Sequence, residues 1–114
     1  MLVLSPQKNI VKMSNSANPT GSPVLHNTYF EGMVQSLVLE TQKGRATVGV
    51  MKKGSYKFDT STKETMVFLE GLVSTKLPGA EWKKHNKQDI LNIPTGIVFD
   101  INCETDVAYI CYYG

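Results

Sequence analysis

The chain has 114 residues, of which 41% are hydrophobic and 19% charged, and its formal net charge is +2 at pH 7. This length suits one domain with a single modest core, and the composition is ordinary for a globular protein. No apolar run approaches about 18 residues, so we predict no membrane-spanning helix. The start of the chain lacks an apolar core with an A-x-A cleavage site, which predicts no signal peptide and a cytoplasmic location.

The positive charge is concentrated at the start of the chain. Lys8 and Lys12 are the only charged residues before Glu31, so ten of the twelve basic side chains remain to balance the ten acidic ones in residues 31–114. Nucleic-acid and membrane surfaces usually show a basic excess. The near-neutral folded part therefore argues against both kinds of partner.

The first 25 residues differ in composition from the rest. They are rich in Ser, Asn and Pro around SNSANPTGSP and have no usable periodicity. Such a segment cannot bury enough apolar surface to offset its ordering. We predict a flexible tail over residues 1–25, with Met13 as an alternative translation start, and a folded domain over residues 26–114.

From Tyr29 onward the chain has the pattern of short strands. VQSLVLE and RATVGVM alternate on either side of TQKG, which predicts a hairpin with Gly44 in its turn. The later strand segments are SYKF, TMVFLEG, LVSTKL, a short stretch within EWKKHN, DILNI, IVFDINC and VAYICYY. No window shows an apolar stripe at helical spacing. We therefore predict an all-β domain, either a small sandwich or a barrel.

The last two segments predict a hairpin whose turn is centred on Thr105. In this register Phe99 lies opposite Cys111, so Cys103 and Cys111 are not cross-strand partners. One face then carries the apolar and amphipathic side chains, namely Ile97, Phe99, Ile101, Tyr109, Cys111 and Tyr113. Asp100 points to the opposite face. Cys111 is predicted to be a buried free thiol.

A basic cluster follows the only tryptophan, Trp82. Its members are Lys83, Lys84, His85 and Lys87. We interpret the cluster as a solvated edge strand protected by lysines, and the alternative is a patch that follows phosphates. Trp82 is interpreted as a core or dimer anchor rather than a ligand platform.

Two segments resemble the two sequence motifs of the cupin family. The first motif, G(x)5HxH(x)3-4E(x)6G, corresponds to Tyr56, Phe58, Glu64 and Gly71, although the spacing to Glu64 is longer here. The second, PxG(x)2H, corresponds to Pro94, Thr95, Gly96 and Phe99. The resemblance implies a single-domain, cupin-like β-barrel of jelly-roll type.

The metal-binding histidines of those motifs are absent. Tyr56, Phe58 and Phe99 stand at the three histidine positions, and His26 and His85 lie outside both motifs. A transition metal needs neutral imidazoles or comparable ligands. We therefore predict that the protein holds no metal.

A longer set of segments is similar to the small, single-domain pyrimidine/purine nucleoside phosphorylases of cupin fold. The segments are YFEG (29–32), GRATVGVM (44–51), GSYKF (54–58), ETMVFLEG (64–71), LPG-x-x-W (77–82), NIPTG (92–96) and YICYY (109–113). This resemblance implies phosphorolysis of purine and pyrimidine nucleosides with broad specificity. Inorganic phosphate attacks C1′, and free base and α-D-ribose 1-phosphate are released. The resemblance also implies a homodimer without metal or organic cofactor.

Phosphorolysis requires a phosphate cradle and polar groups for the ribose. Arg45, the only arginine, is the predicted phosphate ligand, because its guanidinium fork suits phosphate. Thr47 is a weaker candidate for a further donor. Glu64 is predicted to accept hydrogen bonds from ribose hydroxyls, whereas Glu70 is expected to be solvated. Arg45 and Glu64 are the predicted catalytic residues, and the alternative for Arg45 is a surface position after a turn.

The reaction also requires a flat slot for the base. Tyr56, Phe58 and Phe99 are predicted to form it, since stacking tolerates any base. The alternative is core packing, which we favour for Phe58. Tyr29 either closes over the ligand or anchors the first strand.

Two other functions remain open from the sequence. One is a metal-free cupin that binds a sugar or nucleoside without catalysis. The other is a small barrel that binds single-stranded nucleic acid through its aromatic residues, and the neutral domain charge argues against it.

Overall fold

The structure is a computed structural model that describes residues 23–114. Ten strands account for most of this part of the chain: β1 His26–Tyr29, β2 Val34–Thr41, β3 Gly44–Met51, β4 Gly54–Asp59, β5 Glu64–Glu70, β6 Val73–Lys76, β7 Lys83–His85, β8 Ile90–Ile93, β9 Val98–Cys103 and β10 Val107–Tyr113. A short turn, Phe30–Gly32, joins β1 to β2. Within residues 23–114 no helix is long and apolar enough to cross a bilayer.

The strands form two antiparallel sheets, which confirms the all-β prediction. One sheet has the order β1-β2-β3-β10-β5-β8, and the other has the order β4-β9-β6-β7. Alternate residues of both sheets point into a shared core that includes Val34, Met51, Phe68, Val73, Ile93, Ile101 and Val107. The face-to-face arrangement explains the short strands with period-two patterning.

The predicted hairpin between β2 and β3 is confirmed. Thr41 lies opposite Gly44, and the Thr41 hydroxyl donates a hydrogen bond to the Gly44 carbonyl at 2.7 Å. Gly44 has a φ of 102°, which side chains of L-residues rarely allow. The glycine is therefore what lets the chain reverse there.

The predicted hairpin between β9 and β10 is wrong. β9 pairs with β4 and β6, whereas β10 pairs with β3 and β5. The chain crosses between the sheets after Cys103, where the Glu104 N–H donates to the Leu72 carbonyl at 2.9 Å. The predicted shared face is nevertheless correct, because Phe99 and Cys111 are both buried in the core. In a sandwich, two strands can face one core from opposite sides without pairing.

The basic cluster lies on an edge strand, as expected, but His85 departs from the prediction. Lys83 and Lys84 on β7 are exposed, whereas His85 is buried. The His85 Nε2 atom lies 2.7 Å from the Thr75 hydroxyl, and its ring packs on Phe68 at a centroid distance of 4.9 Å. The side chain points inward and belongs to the core.

Four further predictions concern single side chains or the start of the chain. Trp82 is 52% exposed, so it is not a core anchor, and its interpretation as a dimer anchor stays a prediction. Cys103 and Cys111 are both buried and free. Asp100 points outward and pairs with Lys57 at 2.6 Å. Residues 1–22 of the predicted tail lie outside the described residues, and the Leu25 carbonyl accepts a hydrogen bond from the Val38 N–H at 3.0 Å.

Candidate active site

A cavity of about 470 Å³ opens between the two sheets. Four of the seven predicted site residues line it, namely Tyr29, Phe58, Glu64 and Phe99. Residues that the sequence reasoning did not assign to a site also line it, among them Phe30, Ser36, Asp59, Tyr109, Cys111 and Tyr113. This volume lies in the range of small-molecule sites, about 300–1,000 Å³.

The four-stranded sheet supplies an aromatic wall. Phe58 on β4 lies directly opposite Phe99 on β9, with ring centroids 6.1 Å apart. Tyr56 is two residues before Phe58 on the same face, with its ring 6.3 Å from that of Phe58. Tyr56 does not line the cavity; it is buried, and its hydroxyl donates to the Lys52 carbonyl at 2.6 Å. The two cupin-like motifs thus meet on neighbouring strands, with rings at the histidine positions.

Phe30 extends this wall from the six-stranded sheet. Its ring centroid lies 5.1 Å from Tyr56 and 5.4 Å from Phe58. Phe30 is 44% exposed and borders the cavity, as does Tyr29. The sequence motif YFEG contains Phe30, but nothing in its pattern shows that the residue crosses to the other sheet.

The opposite wall is polar and comes from β5 and β10. Glu64 lies opposite Tyr113, and the Cys111 thiol donates a hydrogen bond to Glu64 Oε1 at 3.4 Å. Tyr113 shares a hydrogen bond of 2.9 Å with Thr47. Among the described residues, Glu64 Oε2 has no hydrogen-bond partner. That oxygen is available to a ligand in the cavity.

Burial changes the ionisation of this wall. It raises the pKa of Glu64 above its usual value, against the opposing effect of the Cys111 hydrogen bond, and the charge of Asp59 raises it further. Burial also raises the pKa of Tyr109 to about 12 and of the Cys111 thiol well above its usual range. The phenol and the thiol are therefore neutral near pH 7, and Cys111 is not an activated nucleophile.

Arg45 is the second residue of β3 and does not line the cavity. Arg45 alternates with Thr47 on the inward side of β3, and its Nε donates to Glu40 Oε2 at 3.1 Å in an exposed ion pair.

The strand register places Arg45 near Glu64. Ala46 on β3 faces Tyr112 on β10, so the preceding residue, Arg45, lies beside Tyr113. Since Tyr113 lies opposite Glu64, the two predicted catalytic residues flank one tyrosine at the strand ends.

Metal ligands do not converge in the part of the chain that the structure describes. Across residues 23–114, no three side chains of His, Cys, Asp or Glu come together in a way that could hold a metal ion.

The architecture is that of a cupin. An RmlC-like cupin from Shewanella frigidimarina superposes with a TM-score of 0.62 at 16% identity, over 78% of this chain and 79% of that one. A protein of unknown function from Vibrio parahaemolyticus superposes with a TM-score of 0.75 at 28% identity, over 79% of this chain and 97% of that one. Residues 23–114 form a cupin-fold domain.

Sequence comparison gives the family. Residues 24–113 match the family described as pyrimidine/purine nucleoside phosphorylase. A pyrimidine/purine nucleoside phosphorylase from Hahella chejuensis is 44% identical over 89 residues, which cover 77% of this chain and 96% of that protein. One from Tolumonas auensis is 41% identical over 88 residues, with coverage of 76% and 95%. The chain belongs to the pyrimidine/purine nucleoside phosphorylase family.

Proposed function

We propose that the protein catalyses phosphorolysis of purine and pyrimidine nucleosides with broad specificity. A phosphate oxygen forms a bond to C1′, the glycosidic C–N bond breaks, and its electron pair leaves with the base, which takes up a proton. The products are free base and α-D-ribose 1-phosphate. The observation that carries the proposal is the family match over residues 24–113.

The aromatic wall suits the base. Phe58 is half-buried and borders the cavity beside Phe99, which is almost fully buried, so a base can lie against the Phe58 ring. Base–aromatic stacking is worth about 1–3 kcal/mol and does not depend on which base is present. Such a slot accounts for broad specificity. Tyr56 does not line the cavity, and its ring packs beside that of Phe58 and supports the slot.

The polar wall suits the ribose. Glu64 Oε2, which has no hydrogen-bond partner among residues 23–114, can accept hydrogen bonds from ribose hydroxyls across the cavity from the aromatic wall. When Glu64 is ionised, its charge also stabilises the positive character that develops at C1′ in glycosyl transfer. Tyr29 borders the same cavity and is proposed to contact the bound nucleoside.

Phosphate is proposed to bind at the strand ends, between Arg45 and the cavity. The Arg45 guanidinium uses only its Nε in the ion pair with Glu40, so both terminal nitrogens can meet phosphate oxygens in a bidentate contact. Thr47 holds the neighbouring Tyr113 through its hydroxyl. The phosphate would then approach C1′ from the side opposite the base.

The protein is further proposed to act as a homodimer in the cytoplasm. Adjacent apolar side chains cover the outer face of β2 and β3 and are 37–51% exposed, namely Leu37, Leu39, Val48 and Val50. A patch of this kind on a small domain is typical of a contact surface. Size-exclusion chromatography with light scattering tests the dimer, and Leu37→Lys together with Val48→Lys should produce monomers.

The reaction can be tested with pure protein and two nucleosides. Uridine and adenosine are each incubated with and without inorganic phosphate, and base release is followed by chromatography. We expect release of both bases only when phosphate is present, and the same rates after dialysis against a chelator. Base release without phosphate, or loss of activity on chelation, would contradict the proposed reaction.

A second candidate is a cupin that binds a nucleoside or sugar without catalysis. The charge of the cavity favours it: Glu64 and Asp59 line the cavity, and the ammonium group of the lining residue Lys57 is paired with Asp100. Carboxylates repel phosphate unless Arg45 offsets them. Calorimetric binding of uridine by a protein that releases no base would support this alternative.

A further inference from the structure

The connection between β1 and β2 contains an unusual run of backbone conformations. Phe30 and Glu31 have φ values of 52° and 55°, and Gly32 follows with a φ of 92°. The Met33 N–H donates to the Phe30 carbonyl at 3.1 Å, which closes a type I′ turn over Glu31 and Gly32. Glycine accepts this conformation freely, but two consecutive side-chain-bearing residues rarely do.

The disfavoured backbone does not serve to bury Phe30. Phe30 stays 44% exposed even though its ring contacts both Tyr56 and Phe58. Ordinary core packing would remove a phenylalanine ring from water. Backbone conformations of this kind persist where the surrounding structure enforces them, and they cluster at ligand clamps.

The position of the ring indicates what the turn achieves. Phe30 comes from the six-stranded sheet, but it contacts the aromatic wall of the four-stranded sheet at the border of the cavity. Phe30 and Phe58 are nearly perpendicular, at 86°, so the two rings form a corner rather than a stack. A flat ligand against Phe58 would meet the exposed part of Phe30 at its edge.

We propose that Phe30 is a specificity-determining residue that closes the outer side of the base slot. This inference rests on the proposed function, and it assigns Phe30 to one side of the slot that binds the base. The type I′ turn holds the ring over the cavity mouth, where its free surface contacts the outer part of the bound base. A purine extends farther from the sugar than a pyrimidine, so purines make more of this contact. Phe30 therefore sets the preference for purine over pyrimidine nucleosides.

The test compares two substrates across three substitutions of Phe30. With Phe30→Ala, KM should rise about ten-fold for adenosine, the size expected for one lost stacking contact, and less for uridine, with little change in kcat. Phe30→Leu keeps apolar packing but has no aromatic face, so it should melt near wild type and still lose the purine preference. Phe30→Trp should retain or strengthen that preference.

Glu31→Asn is the matched control within the same turn. Asn-Gly is the sequence that type I′ turns favour, because Asn accepts positive φ more readily than Glu. This variant should melt at a higher temperature and leave both KM values unchanged. A merely structural role for Phe30 would instead lower the melting temperature and affect both substrates equally.

Calorimetry with adenosine and uridine in phosphate-free buffer separates the inference from the proposed function. If the wild type binds nucleosides but releases no base, phosphorolysis fails, and the Phe30 effect is still read from the ratio of the two Kd values. If the wild type is active and Phe30→Leu keeps the purine-to-pyrimidine ratio, the inference is overturned and the function stands. If the wild type neither binds nor turns over either nucleoside, both are wrong.

Discussion

The phenol of Tyr109 lies across the backbone of Gly49 on the neighbouring strand. A Cβ atom at position 49 would lie 2.5 Å from the Tyr109 hydroxyl oxygen, 2.6 Å from its Cζ and 2.8 Å from the Gln35 carbonyl oxygen. Gly49 faces Tyr109 in the β3–β10 register, so the absence of a side chain there lets the phenol lie flat along the sheet. The glycine thereby shapes the floor of the cavity, which Tyr109 lines.

Gly49→Ala should destabilise the protein and displace Tyr109. Overpacking of a buried position typically costs about 1–3 kcal/mol. Urea unfolding measures this loss, and KM for uridine should rise because the cavity wall moves. In a Tyr109→Leu background the added methyl group no longer meets a ring, so the same substitution should cost less. Equal costs in both backgrounds would show that the Gln35 carbonyl, and not Tyr109, limits the space.

Arg45→Ala should weaken the use of phosphate without unfolding the protein. A hydrogen bond to a charged group contributes about 1.5–3 kcal/mol, so kcat/KM for phosphate should fall by roughly one to two orders of magnitude. Arg45→Lys should recover part of this, because it keeps the charge but loses the fork. Initial rates at saturating nucleoside and varied phosphate measure the effect.

The control for Arg45 is another exposed ion pair. Lys87 pairs with Glu70 at 2.8 Å with similar exposure, away from the cavity. Exposed pairs contribute about 0–1 kcal/mol, so Lys87→Ala and Arg45→Ala should both melt near wild type. Wild-type phosphate kinetics in Arg45→Ala would make Arg45 a surface residue.

Glu64→Gln should stabilise the protein at neutral pH while reducing activity. The folded pKa of Glu64 is raised by burial, so folded protein binds more protons than the unfolded chain above pH 4.5. The stability contributed by the protonated form is therefore complete below pH 4.5 and is lost as the pH rises through the folded pKa. Glutamine does not titrate, so the advantage of the variant should grow from acidic to alkaline pH in urea unfolding.

Glu70→Gln provides the comparison of opposite sign. The pKa of exposed Glu70 is lowered, chiefly by its hydrogen bond with Lys87. The stability contributed by ionised Glu70 is present above pH 4.5 and is lost as the pH falls through the folded pKa. Glu70→Gln should therefore be slightly less stable than wild type at alkaline pH. If the two variants show the same dependence on pH, burial does not control the ionisation of Glu64.

His85 should make the fold sensitive to mild acid. Burial lowers its pKa, and the charge of Lys83 lowers it further. The stability contributed by neutral His85 is present above pH 6.5 and is lost as the pH falls through the lower folded pKa. His85→Gln can keep a hydrogen bond to Thr75, and its stability should change less between pH 7 and pH 5. His26→Gln is the control for replacing a histidine at an exposed position.

The strand pattern was predictable because each strand alternates. The turn at Gly44 was predictable because only a few residues accept its backbone conformation. Strand pairing was harder to predict from the sequence, as the wrong β9–β10 hairpin shows. Phe99 and Cys111 alternate into the same core, and alternation reports the buried face but not the neighbouring strand. His85 was misplaced for a related reason, since a three-residue strand is too short to show its period.

Part of the cavity lining was predictable from the sequence, although Tyr56, Arg45 and Thr47 do not line the cavity. The motifs grouped Phe58 and Phe99 in one slot and assigned Glu64 to the ribose, and all three residues line the cavity. The lining residues that the sequence did not indicate are those whose position depends on a contact between the two sheets. Phe30 reaches the aromatic wall through positive φ values, which have no signature in the letters YFEG. Tyr109 and Tyr113 were predicted on the inward face. Alternation along a strand does not distinguish a tyrosine that packs in the core from one that lines a cavity.

The position of β10 has a consequence for how the molecule folds. This strand follows the other nine described strands, but it lies inside the six-stranded sheet, between β3 and β5. The β2–β3 hairpin can form locally, whereas β10 must pair with two strands that are distant in sequence, and such pairings are slow. Until β10 docks, β3 and β5 each expose an unpaired edge, which is a template for pairing with another chain. Its docking is therefore the step at which refolding competes with aggregation.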